Sequence, residues 1–244
     1  MGLKGQVFRE LENRRTQRIT LNNDYFFIKQ HFGVGWKEIF KNLLQLRLPV
    51  ISAKNEWLAL KRLQQLNIPT QKVVGYGYRG LNPATYQSFL ITRELPTFIT
   101  LEDLCKNWKV KPPPFRFKYQ LIREVAHIAR TLHTHGINHR DFYLCHFLLD
   151  LTLKDQADRG FFTLYLIDLH RAQMRNRVPT RWIIKDLAGL YFSSKDIGLT
   201  QRDIFRFMKL YREKALREMA NKETTFWWKV KNRGNKLYQD QKKR

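Results

Sequence analysis

One stretch in the middle of the chain limits its fold more than any other. Over 117–135 the apolar residues Leu121, Ile122, Val125, Ile128, Ala129 and Leu132 recur at helical spacing, and Gly136 stands where such a helix would stop. Asn138-His139-Arg140-Asp141 follows at once. Then come the apolar run Phe147-Leu148-Leu149, a polar turn at 154–160, and a second apolar run from Thr163 to Ile167 that ends on Asp168. The order predicts a long helix, a loop and a short hairpin, with one carboxylate ahead of the hairpin and another 27 positions later at its far end.

The flanking segments differ in period. Before residue 95 the chain reads mostly as strands: Val7–Leu11, Arg18–Leu21, a turn at Asn22-Asn23-Asp24, Tyr25–Lys29, Val73–Tyr78 and Ser88–Glu94. Two helices interrupt them. One covers 36–46, with Ile39, Phe40, Leu43 and Leu44 on one face. The other covers 53–65, with Ser52 as its expected cap and Trp57, Leu58, Leu60, Leu63 and Leu66 as its stripe. After residue 95 helices dominate: 101–108 capped by Thr100, then the breaker Lys111-Pro112-Pro113-Pro114, the long helix, and 183–192, 200–215 and 216–240. With 244 residues, 43% of them hydrophobic, there is enough chain for two cores. The expected fold is α+β and two-lobed, with a small β-rich N-lobe over 1–95 and a larger helical C-lobe over 96–244.

Charge narrows the partners. Lys and Arg number 45 against 21 Asp and Glu, a formal charge of +24. Nucleic acid, an anionic membrane surface and an acidic molecule all answer such a surplus. The excess is densest at the end, where residues 201–244 hold 14 Lys and Arg and 5 Asp and Glu. There Phe226, Trp227, Trp228 and Tyr238 alternate with Lys229, Lys231, Arg233, Lys236, Lys242, Lys243 and Arg244, a mixture suited to a headgroup interface. A final helix packing its aromatics on the body is the plainer alternative. Two cysteines, Cys105 and Cys145, fit a reducing compartment, no apolar run approaches a membrane span, and the N-terminus lacks a signal peptide's apolar core. The expected location is cytoplasmic.

The two carboxylates suit phosphoryl transfer, in which one accepts the proton of a hydroxyl nucleophile and the other holds Mg²⁺ against nucleotide phosphates. Upstream residues complete that set. Lys29, late in the third strand, places an ammonium for phosphates, and Glu56 on the following helix can pair with it. Ile91-Thr92-Arg93-Glu94-Leu95 can offer backbone groups to an adenine edge. Two rivals are weaker. A zinc site among His133, His135, His139 and His146 has only Cys145 to complete it. A nucleic-acid-binding module, or a membrane-surface protein without catalysis, explains the charge but leaves Lys29, Glu56, Asp141 and Asp168 without a role.

These blocks resemble the lipopolysaccharide core heptose(I) kinase family, a branch of the protein-kinase-like fold. The resemblance is carried by Phe8 to Thr16, Lys41-Asn42-Leu43-Leu44, Gly80-Leu81-Asn82-Pro83, Ile137 to Asp141, Cys145 to Leu149, Ile167 to Gln173, and Lys185 to Thr200. It implies an ATP- and Mg-dependent kinase that phosphorylates the first heptose of the inner core at the cytoplasmic face of the inner membrane of a Gram-negative bacterium. A kinase for the octulosonic acid of the same core is the near alternative. Asp141 is then the base, with His139, Arg140 and His146 around it, and Asp168 the metal ligand. Lys29, Glu56 and Glu94 are the nucleotide-binding set. Asp186 is either the aspartate that braces the catalytic loop or the cap of a helix beginning at Leu187. The expected partners are lipid-linked core, ATP, an anionic inner-leaflet surface and an acidic protein such as an acyl carrier protein, with nucleic acid disfavoured.

Three departures stand out. No glycine-rich loop is present, and Arg14 and Arg15 occupy an expected first turn, where their side chains could meet phosphates. His146 stands where a second metal ligand would be asparagine, and imidazole suits hard Mg²⁺ poorly. Leu169-His170 follows Asp168, which argues against a phosphorylation-switched segment.

Overall fold

The computed structural model describes residues 5–11, 13–44, 52–95, 97–152 and 162–243. Glu12 of the expected first turn, the end of the helix expected over 36–46, and the turn at 154–160 lie outside them. The chain divides into two compact units, Met1–Leu95 with Asp168–Arg171, and Pro96–Ile167 with Ala172–Arg244. Asp168 and the three residues after it thus belong to the first unit.

The first unit is a five-stranded antiparallel sheet with two helices. Strands β1 (Gln6–Leu11), β2 (Arg14–Leu21), β3 (Asp24–His31), β4 (Val73–Arg79) and β5 (Gln87–Arg93) lie in the order β1-β2-β3-β5-β4. Helices α1 (Gly35–Leu44) and α2 (Lys54–Gln65) fall between β3 and β4. Asn22 and Asn23 both take positive φ, 51° and 64°, which makes the two-residue hairpin whose twist matches its strands. Arg14 and Arg15 lie within β2, opposite Leu11 and Glu10, and not in a turn. Cross-strand pairing claims them because Arg15 meets Glu10 at 2.5 Å. Ala59, Leu60 and Leu63 of α2 are fully buried, as is Leu90 of β5. The start of α2 is fixed differently from expectation. Ala53 holds the cap position without a side-chain cap, its N–H donating to Ser88 Oγ at 3.0 Å, while Ser52 Oγ accepts from Lys54 N at 3.3 Å.

The second unit is mostly helical. Its elements are β6 (Phe98–Thr100), α3 (Leu101–Cys105), α4 (Phe115–Thr134), β7 (Ile137–Asn138), β8 (Phe147–Asp150), β9 (Leu164–Leu166), β10 (Gln173–Met174), α5 (Thr180–Ser193), α6 (Gln201–Arg212), α7 (Leu216–Lys222) and α8 (Thr224–Lys242). The strands form an antiparallel trio β6-β8-β9 and a pair β7-β10. Thr100 caps α3 as expected, accepting from Asp103 N at 3.0 Å. Along α4, Leu121, Val125, Ala126, Ile128, Ala129 and Leu132 are buried at helical spacing. Gly136 after it has φ +77°, and a Cβ there would lie 1.7 Å from the Arg175 carbonyl oxygen, so only glycine lets β10 approach β7.

Candidate active site

In the first unit, β3 and α2 bring a charged group together. Lys29 Nζ lies 2.5 Å from Glu56 Oε1, and the Glu56 side chain is almost wholly buried. Strand alternation puts Arg14, Lys29 and His31 on one sheet face, because Arg14 pairs with His31 and Thr16 with Lys29. Burial acts against the Lys29 ammonium, but the charge and hydrogen bond of Glu56, then the charge of Asp168, outweigh it and hold its pKa above the ordinary value. Arg14 feels both Glu56 and Asp168, although burial and Arg9 keep its pKa below the usual value. Asp168 has φ +63° and meets His170 Nδ1 at 2.6 Å through Oδ1. The His170 carbonyl in turn accepts from Asn55 Nδ2 of α2 at 3.1 Å. This is a half-buried carboxylate in a cationic setting, able to accept a hard cation or to face phosphate oxygens.

Glu94 has a different place from the rest. Its carboxylate accepts from Arg18 at 2.8 and 3.0 Å, and its N–H donates to the Tyr25 carbonyl at 2.9 Å. Arg15 is bound to Glu10, whereas Arg14 is held near Asp168.

In the second unit, one buried aspartate organises the loop after β7. Asp186 is fully buried in the middle of α5, which starts at Thr180 behind Pro179, so it does not open a helix. Its two oxygens accept from His139 N at 2.6 Å and Arg140 N at 2.8 Å. His133 Nε2 lies 3.4 Å from Oδ2, and its Nδ1 lies 2.8 Å from the Tyr211 hydroxyl. A carboxylate oxygen accepts, so Nε2 carries a proton. Two charge-assisted bonds to consecutive amides fix the backbone just ahead of Asp141. Arg140 takes φ +76° there.

His139 is fully buried, with Nε2 2.9 Å from the Ile167 carbonyl and its ring near those of Phe142 and His146. Such burial marks a positioning residue, not one that touches substrate. His146 sits in a turn of 3₁₀ helix (Leu144–His146), and its Nδ1 donates to the Asp141 carbonyl oxygen at 2.6 Å. It therefore steadies the backbone of Asp141. Asp141 is half-buried at the end of this frame, a carboxylate on a fixed backbone suited to accept a proton.

His170 and His31 were not legible as site residues. The signal for His31 was its spacing of two from Lys29, which puts both on one strand face. No group of three or more His, Cys, Asp or Glu suited to a metal occurs among the described residues, so the four-histidine zinc reading has no cage.

The sequence matches the model of the lipopolysaccharide kinase (Kdo/WaaP) family over residues 1–211. It is 53% identical over 221 residues to the lipopolysaccharide core heptose(I) kinase WaaP of Escherichia coli K12, covering 91% of this chain and 83% of that one. The Pseudomonas aeruginosa protein of the same name is 46% identical over 237 residues, covering 97% and 88%. A solved structure of WaaP in complex with acyl carrier protein superposes with a TM-score of 0.82 at 41% identity, covering 97% of this chain and 90% of that one. A β-rich first unit, a helical second unit and this breadth of match agree: the chain belongs to the lipopolysaccharide kinase (Kdo/WaaP) family.

Proposed function

We propose that this chain transfers the γ-phosphoryl group of ATP to heptose(I) of the lipopolysaccharide core. The observation that carries the reading is identity of 46–53% to heptose(I) kinases across more than nine-tenths of the chain. The octulosonic acid kinase remains the alternative acceptor specificity within the same family.

Phosphoryl transfer needs groups for the nucleotide phosphates and groups for the acceptor hydroxyl. Lys29, kept charged and aimed by Glu56, serves the phosphates, and Arg14 adds positive charge where a glycine-rich loop would offer amides. Asp141 accepts the proton of the sugar hydroxyl while Asp186 and His146 hold its backbone. Asp168 fits Mg²⁺, an oxygen-seeking ion that commonly takes one or two protein carboxylates and fills the rest with water and phosphate. Bound there, it would neutralise charge on the phosphates. His146 fits a second Mg²⁺ position poorly, since a hard cation prefers oxygen to an imidazole nitrogen.

The test supplies isolated core with free heptose(I), and separately octulosonic-acid-only acceptor, and follows phosphate transfer from ATP. Transfer to the heptose is expected. Asp141→Asn should lose roughly 10²–10⁴-fold in kcat while ATP affinity and thermal midpoint hold. Transfer confined to the octulosonic acid would replace the acceptor assignment, and near-native turnover in the variant would remove Asp141 as base.

An acyl carrier protein is also proposed as partner, on a separate observation. The second unit contains an apolar cavity of about 760 Å³, lined among others by Leu121, Leu190, Ile204, Met208, Trp227 and Val230. Such a lining suits an acyl chain, and the basic exterior suits an acidic carrier. Because Trp227 lines the cavity, acylated carrier should change tryptophan fluorescence where unacylated carrier does not. We also place the protein at the anionic face of the inner membrane, where lipid-linked core is exposed.

A further inference from the structure

Between α4 and α6 the second unit has a cavity of about 480 Å³ that shares no residue with the site described above. It is lined by Arg123, His127 and Arg130 of α4, by Lys209 and Leu210 of α6, and by residues 213–215 that lead into α7. Its volume lies within the span of small-molecule sites, roughly 300–1,000 Å³. Positions 123, 127 and 130 share one face of α4, because residues three and four apart are neighbours on a helix. The two helices are tied on either side of this stretch. Lys118 of α4 meets Asp203 of α6 at 2.9 Å, and His133 of α4 meets the Tyr211 hydroxyl of α6 at 2.8 Å. The spacing of the cations across the cavity is therefore set by packed helices and not by a loop.

The charges around it do not balance. Among the described residues Glu213 is the one acid in the lining, and Arg130 holds it at 2.7 Å. Lys214 lies 3.4 Å from Glu218 and 3.6 Å from Glu223. Asp203, further back on α6, is bound to Lys118 and to Arg206. Glu124 follows Arg123 in the chain, but it lies about 100° round the helix and does not line the cavity. Arg123, His127 and Lys209 are exposed and have no ion pair or hydrogen bond among the described residues. Two whole positive charges and an imidazole are thus left facing one concave space. A cleft lined by one sign of charge concentrates its field on a counter-ion.

We propose that this cavity is a binding site for a phosphomonoester. Such a group carries about −1.5 to −2 at neutral pH, which answers two uncompensated cations where a carboxylate would leave one over. Its three terminal oxygens can take the Arg123 fork, the Lys209 ammonium and a His127 N–H together. The site does not depend on which sugar the chain phosphorylates.

The experiment follows the His127 ring-proton resonance, assigned by its loss in His127→Gln, as inorganic phosphate is added to the full chain at neutral pH and constant ionic strength. A saturable shift is expected, with acetate giving none. Arg123→Gln together with Lys209→Gln should weaken the apparent affinity roughly 10-fold at an unchanged thermal midpoint, since neither side chain has a partner to lose. Arg123→Lys, which keeps the charge, should retain most of the affinity. Phosphate should also raise the midpoint of the wild type and not that of the paired variant. Two kinds of phosphatidylcholine vesicle at matched charge separate the sources of the group: one carries phosphatidic acid, a monoester, and the other phosphatidylglycerol, a diester. A preference for phosphatidic acid that the paired variant loses assigns the group to a lipid headgroup. A saturable phosphate shift without that preference assigns it to a soluble ester. A shift that rises linearly, that acetate reproduces, or that the paired variant retains in full overturns the site, and so does no shift.

Discussion

His31 is the residue at which the first unit's charge has a measurable cost. It is buried on the face it shares with Lys29 and Arg14, and its pKa is pushed down to about 4 by burial first, then by Arg14, Lys29 and His170. The folded protein therefore keeps this ring neutral, while the unfolded chain protonates it near pH 6.5. Between about 6.5 and 4 the unfolded state binds the extra proton, so stability is full above 6.5 and is lost as pH falls through that window. The loss from this group is on the order of 3 kcal/mol. Thermal melts of the wild type should fall over this range, and His31→Gln should fall less steeply. Parallel slopes would show that other groups govern acid unfolding. The Lys29–Glu56 pair was legible because phosphoryl transfer calls for a lysine late in the third strand and an acid on the helix after it, and the structure joins the two. His31 and His170 were not, since their part depends on which strand face and which turn carries them.

At the scale of the element, the helices of the second unit show what period can and cannot reveal. The long helix α4 was plain because its stripe is unbroken. A single helix over 216–240 was expected, yet α7 and α8 meet at Glu223, and α6 ends where Glu213 takes a left-handed φ of 52°. Neither break contains glycine or proline, so propensity gave no mark of it. The start of α5 was marked by Pro179, and reading Leu187 as its start left Asp186 poised between bracing and capping. Thr200 and Asp203 form a capping box on α6, and the buried Asp203 also binds Lys118 of α4 at 2.9 Å and Arg206 at 2.7 Å. Burial opposes the Asp203 charge, but these bonds hold its pKa below the ordinary carboxylate value. Asp203→Ala removes the cap and leaves the Lys118 ammonium largely buried without its partner, which should cost about 3–5 kcal/mol. Asp203→Asn keeps a cap acceptor and should cost less. Urea midpoints of the two variants that coincide would mean that the ion pair contributes nothing beyond the cap.

At the scale of the whole molecule, a charge of +24 repels itself, a cost that binding an anionic partner would offset. The expectation that Trp227 and Trp228 both enter a headgroup layer divides on the structure. Trp227 packs against Tyr211 and Phe226 and lines the cavity, whereas Trp228 is 59% exposed. Helix α8 is part of the body: a Cβ on Gly234 would lie 2.6 Å from the Tyr191 ring, and Tyr238 bonds to Asp196 at 2.9 Å. Its exposed Lys229, Lys231, Arg233 and Lys236 still offer about 1 kcal/mol each near an anionic surface, screened beyond roughly 10 Å at 0.1 M salt. Deleting the helix would open the cavity and confuse stability with docking. Charge reversal is the cleaner probe, because these side chains point to solvent. Lys229→Glu with Arg233→Glu and Lys236→Glu, none of which lines the cavity, should abolish sedimentation with anionic vesicles at low salt, at an unchanged thermal midpoint. Trp228→Ala should weaken the salt-resistant remainder. Neutral vesicles should not sediment the wild type at all. If anionic vesicles leave it in solution while acidic carrier protein binds it and the triple reversal loses that binding, the positive charge serves the carrier and not the membrane.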